Sequence, residues 1–229
     1  MLKKLFVFAL LLLGVSFTDV SAQAFKPLKG IYKKGWTDLN KNGKKDIYED
    51  PTQPLDKRLD DLISQMTLEE KTNQMATLYG YRRILQDSLP TLQWKNEIWK
   101  DGIANIDEML NGFINWNQIE SKLDLVTDLP RHVWAMNEVQ RFFIEQTRLG
   151  IPVDFTNEGI RGIEAYIATG FPTQLNMGMT WNRQLVRQMG QITGEEARAL
   201  GYTNVYAPIL DVARDQRWGR LEEVYGEDP

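Results

Sequence analysis

Apolar and polar positions change character several times along the chain. Lys3 and Lys4 precede a run from Leu5 to Phe17 that is apolar except for Gly14 and Ser16, and Val20-Ser21-Ala22 follows with small residues where a signal peptidase reads. This three-part pattern predicts a secretory leader over residues 1–22, too short and wrongly flanked for a stable membrane span. Residues 23–54 are polar and turn-rich and read as an extension. From Leu55 the period becomes helical, with Leu59, Leu62, Ile63 and Met66 on one face. Thr67-Leu68-Glu69-Glu70 is a capping box that starts a second helix running to about Ala76.

Between Tyr79 and Leu129 no clean period emerges. Trp94, Trp99 and Trp116 stand among Gly and Asn, and the segment predicts one short strand, loops and a short helix near Ile106 to Leu110. Pro130 suits the first turn of a helix reaching Arg148, with Val133, Met136, Val139, Phe143 and Ile144 as its apolar stripe and Gly150 as its stop. Ile151 to Phe155 reads as a short buried strand. Trp181 to Leu200 reads as a helix capped at Asn182 or Thr180 and closed by Gly201, and Asn204 to Leu210 as another strand. Alternating helices and strands with short connections predict an α/β fold with a parallel sheet. No internal repeat is visible.

Composition narrows the function classes. The 229 residues are 42% hydrophobic and 25% charged, which excludes a disordered or low-complexity chain. A net charge of −4 argues against a nucleic-acid partner. The absence of Cys excludes disulfides, thiol catalysis and thiolate metal sites. His132 is the only His, which disfavours a Ser-His-Asp triad or a multi-His metal site, and a surface or capping role is expected for it. No Gly-x-Ser-x-Gly nucleophile elbow is present.

Two segments carry candidate chemistry. Residues 38–49 match the calcium-loop pattern, with Asp38, Asn40, Asn42, Asp46 and Glu49 as oxygen donors, Gly43 at the turn and a main-chain carbonyl from Lys44. The flanks lack the two helices of an EF-hand, three Lys in or beside the loop weaken its field, and a merely polar turn is the competing reading. Any ion here is expected to be structural, and no cofactor is expected for catalysis. Farther on, paired carboxylates would suit glycosidic hydrolysis. Glu158, Asp211, Glu222, Glu223 and Asp228 stand near predicted strand ends, but spacing alone does not pair them. Arg214, Arg217 and Arg220 surround Trp218. They could present guanidinium forks to a sugar, or form salt bridges with Glu222, Glu223 and Asp228.

At this point the sequence resembles glycoside hydrolase family 3. The stretches that carry the resemblance are RLDDLISQMTLEEKTNQM (58–75), LGIPVDFTNEGIRG (149–162), FPTQLNMGMTWN (171–182) and NVYAPILDVARDQRWGRLEEVYGEDP (204–229). The resemblance implies the N-terminal half of a (β/α)8 TIM-like barrel over residues 55–229, incomplete as it stands. It also implies retaining hydrolysis of terminal, non-reducing β-D-glucosyl or β-D-xylosyl residues from a β-linked oligosaccharide or aryl glycoside. Glu158 and Arg220 stand where the family contacts the sugar in the −1 subsite, and Arg161 stands where many members have His. Glu in place of Asp at 158 reaches one methylene further, which leans toward a smaller sugar such as xylose. The family's Lys-His pair, its nucleophile in a Ser-Asp-Trp setting and its acid/base lie beyond the block that ends at Pro229, so no catalytic residue is assigned within the chain. The expectation is the N-terminal fragment of a secreted or periplasmic exo-β-glycosidase, inactive in isolation, with no membrane span after leader removal. The alternative is a non-catalytic, calcium-stabilised carbohydrate-binding protein.

Overall fold

The computed structural model describes residues 26–80, 89–91, 94, 101–111 and 123–228. The leader through Ala22, Trp99 and Trp116 lie outside them. A small antiparallel ribbon, β1 (Tyr32–Lys33) and β2 (Trp36–Thr37), opens the described chain. Helices α1 (Leu55–Gln65) and α2 (Leu68–Asn73) follow. The capping box at α2 is formed in both directions: Thr67 Oγ1 accepts from the Glu70 amide, and Glu70 Oε2 accepts from the Thr67 amide. Arg148 adds an ion pair to the same carboxylate.

Four strands then build one parallel sheet in chain order: β3 (Thr77–Tyr79), β4 (Asn105–Asp107), β5 (Asp154–Asn157) and β6 (Asn204–Val205). Helices α3 (Leu123–Thr127) and α4 (Leu129–Gln146) lie between β4 and β5, and α5 (Gln174–Gly178) and α6 (Arg183–Leu200) between β5 and β6. This is an open arc of a (β/α) barrel, with the fourfold sheet unclosed. β4 is buried at every position, whereas the edge strands β3 and β6 are partly exposed. The core packs Ile106, Val153 and Phe155 of the sheet region against Met136, Val139, Phe142 and Phe143 of α4, with Trp94 edge-on to Phe142 at 5.9 Å.

The helix expected at Ile106–Leu110 is instead β4 and the turn after it. Ile106, Met109 and Leu110 imitate a helical period, but Ile106 and Asp107 pair with Leu78 and Tyr79 on one side and with Phe155 and Thr156 on the other. Left-handed backbone at Glu108 (φ 52°) and Leu110 (φ 58°) then breaks any helix.

β5 starts three residues later than expected. The side-chain amide of Gln140 takes both main-chain groups of Val153, at 2.8 and 2.9 Å, so the ladder opens at Asp154. β6 is shorter than expected, because Pro208 has no N–H for a ladder.

His132 is not at the surface. It is fully buried on α4 beside Tyr202, and its Nε2 lies 3.1 Å from the Leu200 carbonyl at the end of α6. Its ring joins two helices rather than capping one. The expected apolar stripe of α1 is only partly covered, with Leu59 and Ile63 exposed and Leu62 and Met66 half-buried.

Candidate active site

Parallel strands send their carboxyl ends to one side, and in barrels that side carries the chemistry. Here Asp107 ends β4, Asn157 ends β5 with Glu158 just after it, and Tyr206 follows β6. The register places Asp107 beside Thr156. The Thr156 hydroxyl approaches Asp107 Oδ1 at 2.8 Å and Asn105 Oδ1 at 2.9 Å, and the Glu108 amide donates to the Thr156 carbonyl. Carboxylate oxygens of Asp107, Glu108 and Glu158 can all lie within 4.8 Å of one another.

The loop after β5 is held from within. Asn157 is fully buried, and its side chain donates to the Glu164 carbonyl at 3.0 Å and accepts from the Glu164 amide at 2.8 Å. That clamp closes residues 158–163 into a small loop. The Ile160 carbonyl accepts from buried Gln174, and the Arg161 carbonyl accepts from the Phe171 amide. Gly162 sits at φ +90°, and a Cβ there would lie 2.1 Å from the Thr169 carbonyl oxygen. Only glycine fits this turn without displacing the loop.

Electrostatics mark the cluster. Burial pushes the Glu158 carboxyl above the usual carboxylate range, and the negative charges of Asp107, Glu164 and Glu223 push the same way while Arg220 opposes. Burial also raises Asp107, against hydrogen bonds from Thr156 and the Glu108 amide that favour its charged form. Tyr79, at the end of β3, is raised by burial and by the same carboxylates. Such a group of desolvated acids beside a cation is suited to gripping hydroxyls, because each carboxyl can accept or, when protonated, donate.

Glu158 is half-buried at this end of the sheet, and Arg161 is exposed on the clamped loop. Arg220 lies on the turn after Trp218, its guanidinium 5.9 Å from the indole, and forms a two-pronged ion pair with Glu223. Arg217 pairs with Asp215. Two of the three arginines around Trp218 thus engage neighbouring acids, while the charge of Arg220 still reaches Glu158. Asp211, Glu222 and Asp228 are exposed. The calcium-loop residues Asp38, Asn40, Asn42, Lys44, Asp46 and Glu49 precede α1 and pack near the end of α4. A cavity of about 690 Å³ lies between α5, the start of α6 and residues 213–228, and does not include Glu158.

Sequence reasoning missed Asp107 and Glu108. The alternation of Asn105, Ile106 and Asp107 is the signal for a strand end carrying a carboxylate, and the helix-like spacing of Ile106, Met109 and Leu110 obscures it.

Residues 67–229 match the family described as Glycosyl hydrolase family 3 N terminal domain. A periplasmic beta-glucosidase/beta-xylosidase of Dickeya chrysanthemi is 29% identical over 219 residues, covering 89% of this chain and 31% of that protein. Among solved structures, a β-glucosidase from Erythrobacter marinus superposes with a TM-score of 0.61 at 26% identity, covering 81% of this chain and 22% of the other. A β-glucosidase variant from Listeria innocua, in complex with laminaribiose, superposes with a TM-score of 0.55 at 28% identity, covering 77% and 22%. The chain spans less than a third of each of these proteins.

Proposed function

This chain belongs to glycosyl hydrolase family 3 through its N-terminal domain, and from that premise we propose that it supplies the sugar-binding half of a retaining exo-β-glycosidase. The enzyme removes terminal, non-reducing β-D-glucosyl or β-D-xylosyl residues. The observation that carries this reading is the placement of Glu158 with Asp107 at the carboxyl end of the parallel sheet, within reach of the Arg220 charge.

In this reading Glu158 and Arg220 hold hydroxyls of the sugar in the −1 subsite, and Arg161 borders it. The nucleophile and the acid/base come from chain outside these 229 residues, so the isolated chain binds without turnover. The unclosed sheet and the greater length of the relatives support that division. The apolar run with its small-residue site, together with the periplasmic Dickeya relative, supports export to the periplasm or beyond. Among the described residues, no helix is long and apolar enough to cross a membrane.

The test is hydrolysis of aryl β-glucosides and aryl β-xylosides by the longest open reading frame containing this chain, beside residues 1–229 alone. The longer protein is expected to release nitrophenol, and Glu158→Ala to reduce release by about 10²–10³-fold, the loss typical of removing one site hydrogen-bonding group. Release by the 229 residues alone, abolished by Glu158→Ala, would overturn the proposed division. A longer protein that binds the sugars without cleaving them would establish the carbohydrate-binding alternative.

A further inference from the structure

Away from the sheet, and independent of what is hydrolysed, residues 38–49 fold back on themselves. Lys41 (φ 60°) and Gly43 (φ 79°) take left-handed backbone, and the Gly43 amide donates to Asp38 Oδ2 at 3.0 Å. Glu49 is buried, and its carboxylate accepts from the amides of Leu39, Asn40 and Asp46. Asp46 Oδ2 lies between the side-chain NH₂ groups of Asn40 and Asn42, at 2.5 and 2.7 Å. Three carboxylates and two side-chain amides are thus tied together by hydrogen bonds within one short loop.

An independent observation points to a ligand. Asp38 is only 4% exposed, and its second oxygen, Oδ1, is buried with no hydrogen-bond partner. Oδ2 of the same carboxylate is held by the Gly43 amide across the loop. A buried carboxylate oxygen without a partner is costly unless a cation meets it.

The charge of Lys41 reaches Asp38 and Glu49, but its ammonium does not hydrogen-bond Asp38 Oδ1. The Lys41 ammonium donates to the carbonyls of Ile144 and Thr147, and Lys45 pairs with Asp50 at 2.9 Å. Lys44 is exposed.

We propose that this loop binds one calcium ion, and that the ion fastens the N-terminal segment to the end of α4. The donors are side-chain oxygens of Asp38, Asn40, Asn42, Asp46 and Glu49 with the main-chain carbonyl of Lys44. They are all hard oxygens and reach the coordination number that calcium requires. The ion neutralises Asp46, whose Oδ2 now only accepts hydrogen bonds from the two Asn amides, and it pairs Asp38 Oδ1.

Its effect travels through contacts already in place. Lys41 reaches the last turn of α4, the Tyr48 hydroxyl donates to the Leu149 carbonyl at 3.2 Å, and Gly150 packs against Leu39 so closely that a Cβ would lie 2.6 Å from its carbonyl oxygen. Leu149 and Gly150 lead, three residues on, into β5, and Glu158 follows its last residue. The ion therefore stiffens the connection that positions the candidate sugar-binding loop.

The test is a terbium titration of the full chain, in which Trp36 and Tyr48 beside the loop sensitise bound terbium. Emission is expected to be reversed by calcium but not by equal magnesium, and calcium is expected to raise the melting temperature. Glu49→Gln, and Asn42→Ala at an exposed position whose loss leaves the fold intact, should each weaken calcium binding by at least about tenfold. Lys44→Ala should leave it unchanged, because that residue contributes only its carbonyl. Absence of calcium-reversible emission and of a melting shift would overturn the proposal. So would calcium binding that is undiminished in both Glu49→Gln and Asn42→Ala.

Discussion

Thr156 and Asp107, side by side on neighbouring parallel strands, are joined by a 2.8 Å hydrogen bond from hydroxyl to carboxylate. That bond favours the charged form of Asp107, while burial favours the neutral form and prevails. Thr156→Val keeps the shape and removes the donor. It should raise the Asp107 pKa further and cost about 1–2 kcal/mol of stability at neutral pH, read by carboxyl NMR titration and denaturant unfolding.

Asp107 and Glu158 both hold their protons more tightly folded than unfolded. Their contribution to stability is therefore complete below their ordinary values, 3.8 and 4.5, and is lost as pH rises through the raised folded values. Asp107→Asn removes one of the two groups and the largest negative influence on the other. Stability of this variant should fall less over that range than stability of the parent, and Glu158 should titrate closer to 4.5. An unchanged Glu158 titration would show that Asp107 does not contribute to its raised proton affinity.

His132 has the opposite sign. Burial depresses its pKa, against hydrogen bonds that favour its charged form. The Leu200 carbonyl can only accept, so the neutral ring carries its proton on Nε2. Its contribution is present above the ordinary value of 6.5 and lost as pH falls through the depressed one. His132→Gln should lower stability at pH 8 and flatten the loss as pH falls below 6.5, measured by urea unfolding at each pH.

The start of α2 offers a third test. The Glu70 carboxylate is buried, yet Arg148 and the Thr67 groups outweigh that burial and lower its pKa. Stability from this site is present above 4.5 and lost as pH falls. Thr67→Ala should cost about 1 kcal/mol by removing the cap. Arg148→Met should cost about 1–2 kcal/mol, less than a fully buried pair because Arg148 is half exposed.

Gly162→Ala should destabilise by at least about 2 kcal/mol, because left-handed backbone and a collision with the Thr169 carbonyl act together. Gly170→Ala, eight positions on with nothing within 4 Å of the new Cβ, should be close to neutral. Thermal melts of the pair separate loop strain from general sensitivity to alanine.

Much of this architecture was legible where local chemistry agrees with tertiary packing. Thr67 and Glu70 announce their cap, Asn182 and Gly201 bound α6, and Met136, Val139 and Phe143 of the expected α4 stripe are buried while Val133 and Ile144 are half-buried. Glu158 was legible as a residue after a strand, through the resemblance of its surroundings. Long-range pairing was not legible. Ile106 and Asp107 belong to a strand only because β3 and β5 flank them, and Val153 is withheld from the ladder only because Gln140 lies opposite. Asp107 entered the candidate site by that route. His132, the only one of its type, gave no periodicity of its own by which to read its burial.

The four parallel strands lie in space in the order in which they lie along the chain. Each can therefore dock on a predecessor that has already emerged, without waiting for a distant partner. Loop closures stay short, and the chain can grow its sheet from one edge during synthesis. Among the described residues β6 has a partner on one side only, so its other edge is a template for pairing with a further strand or with a second chain.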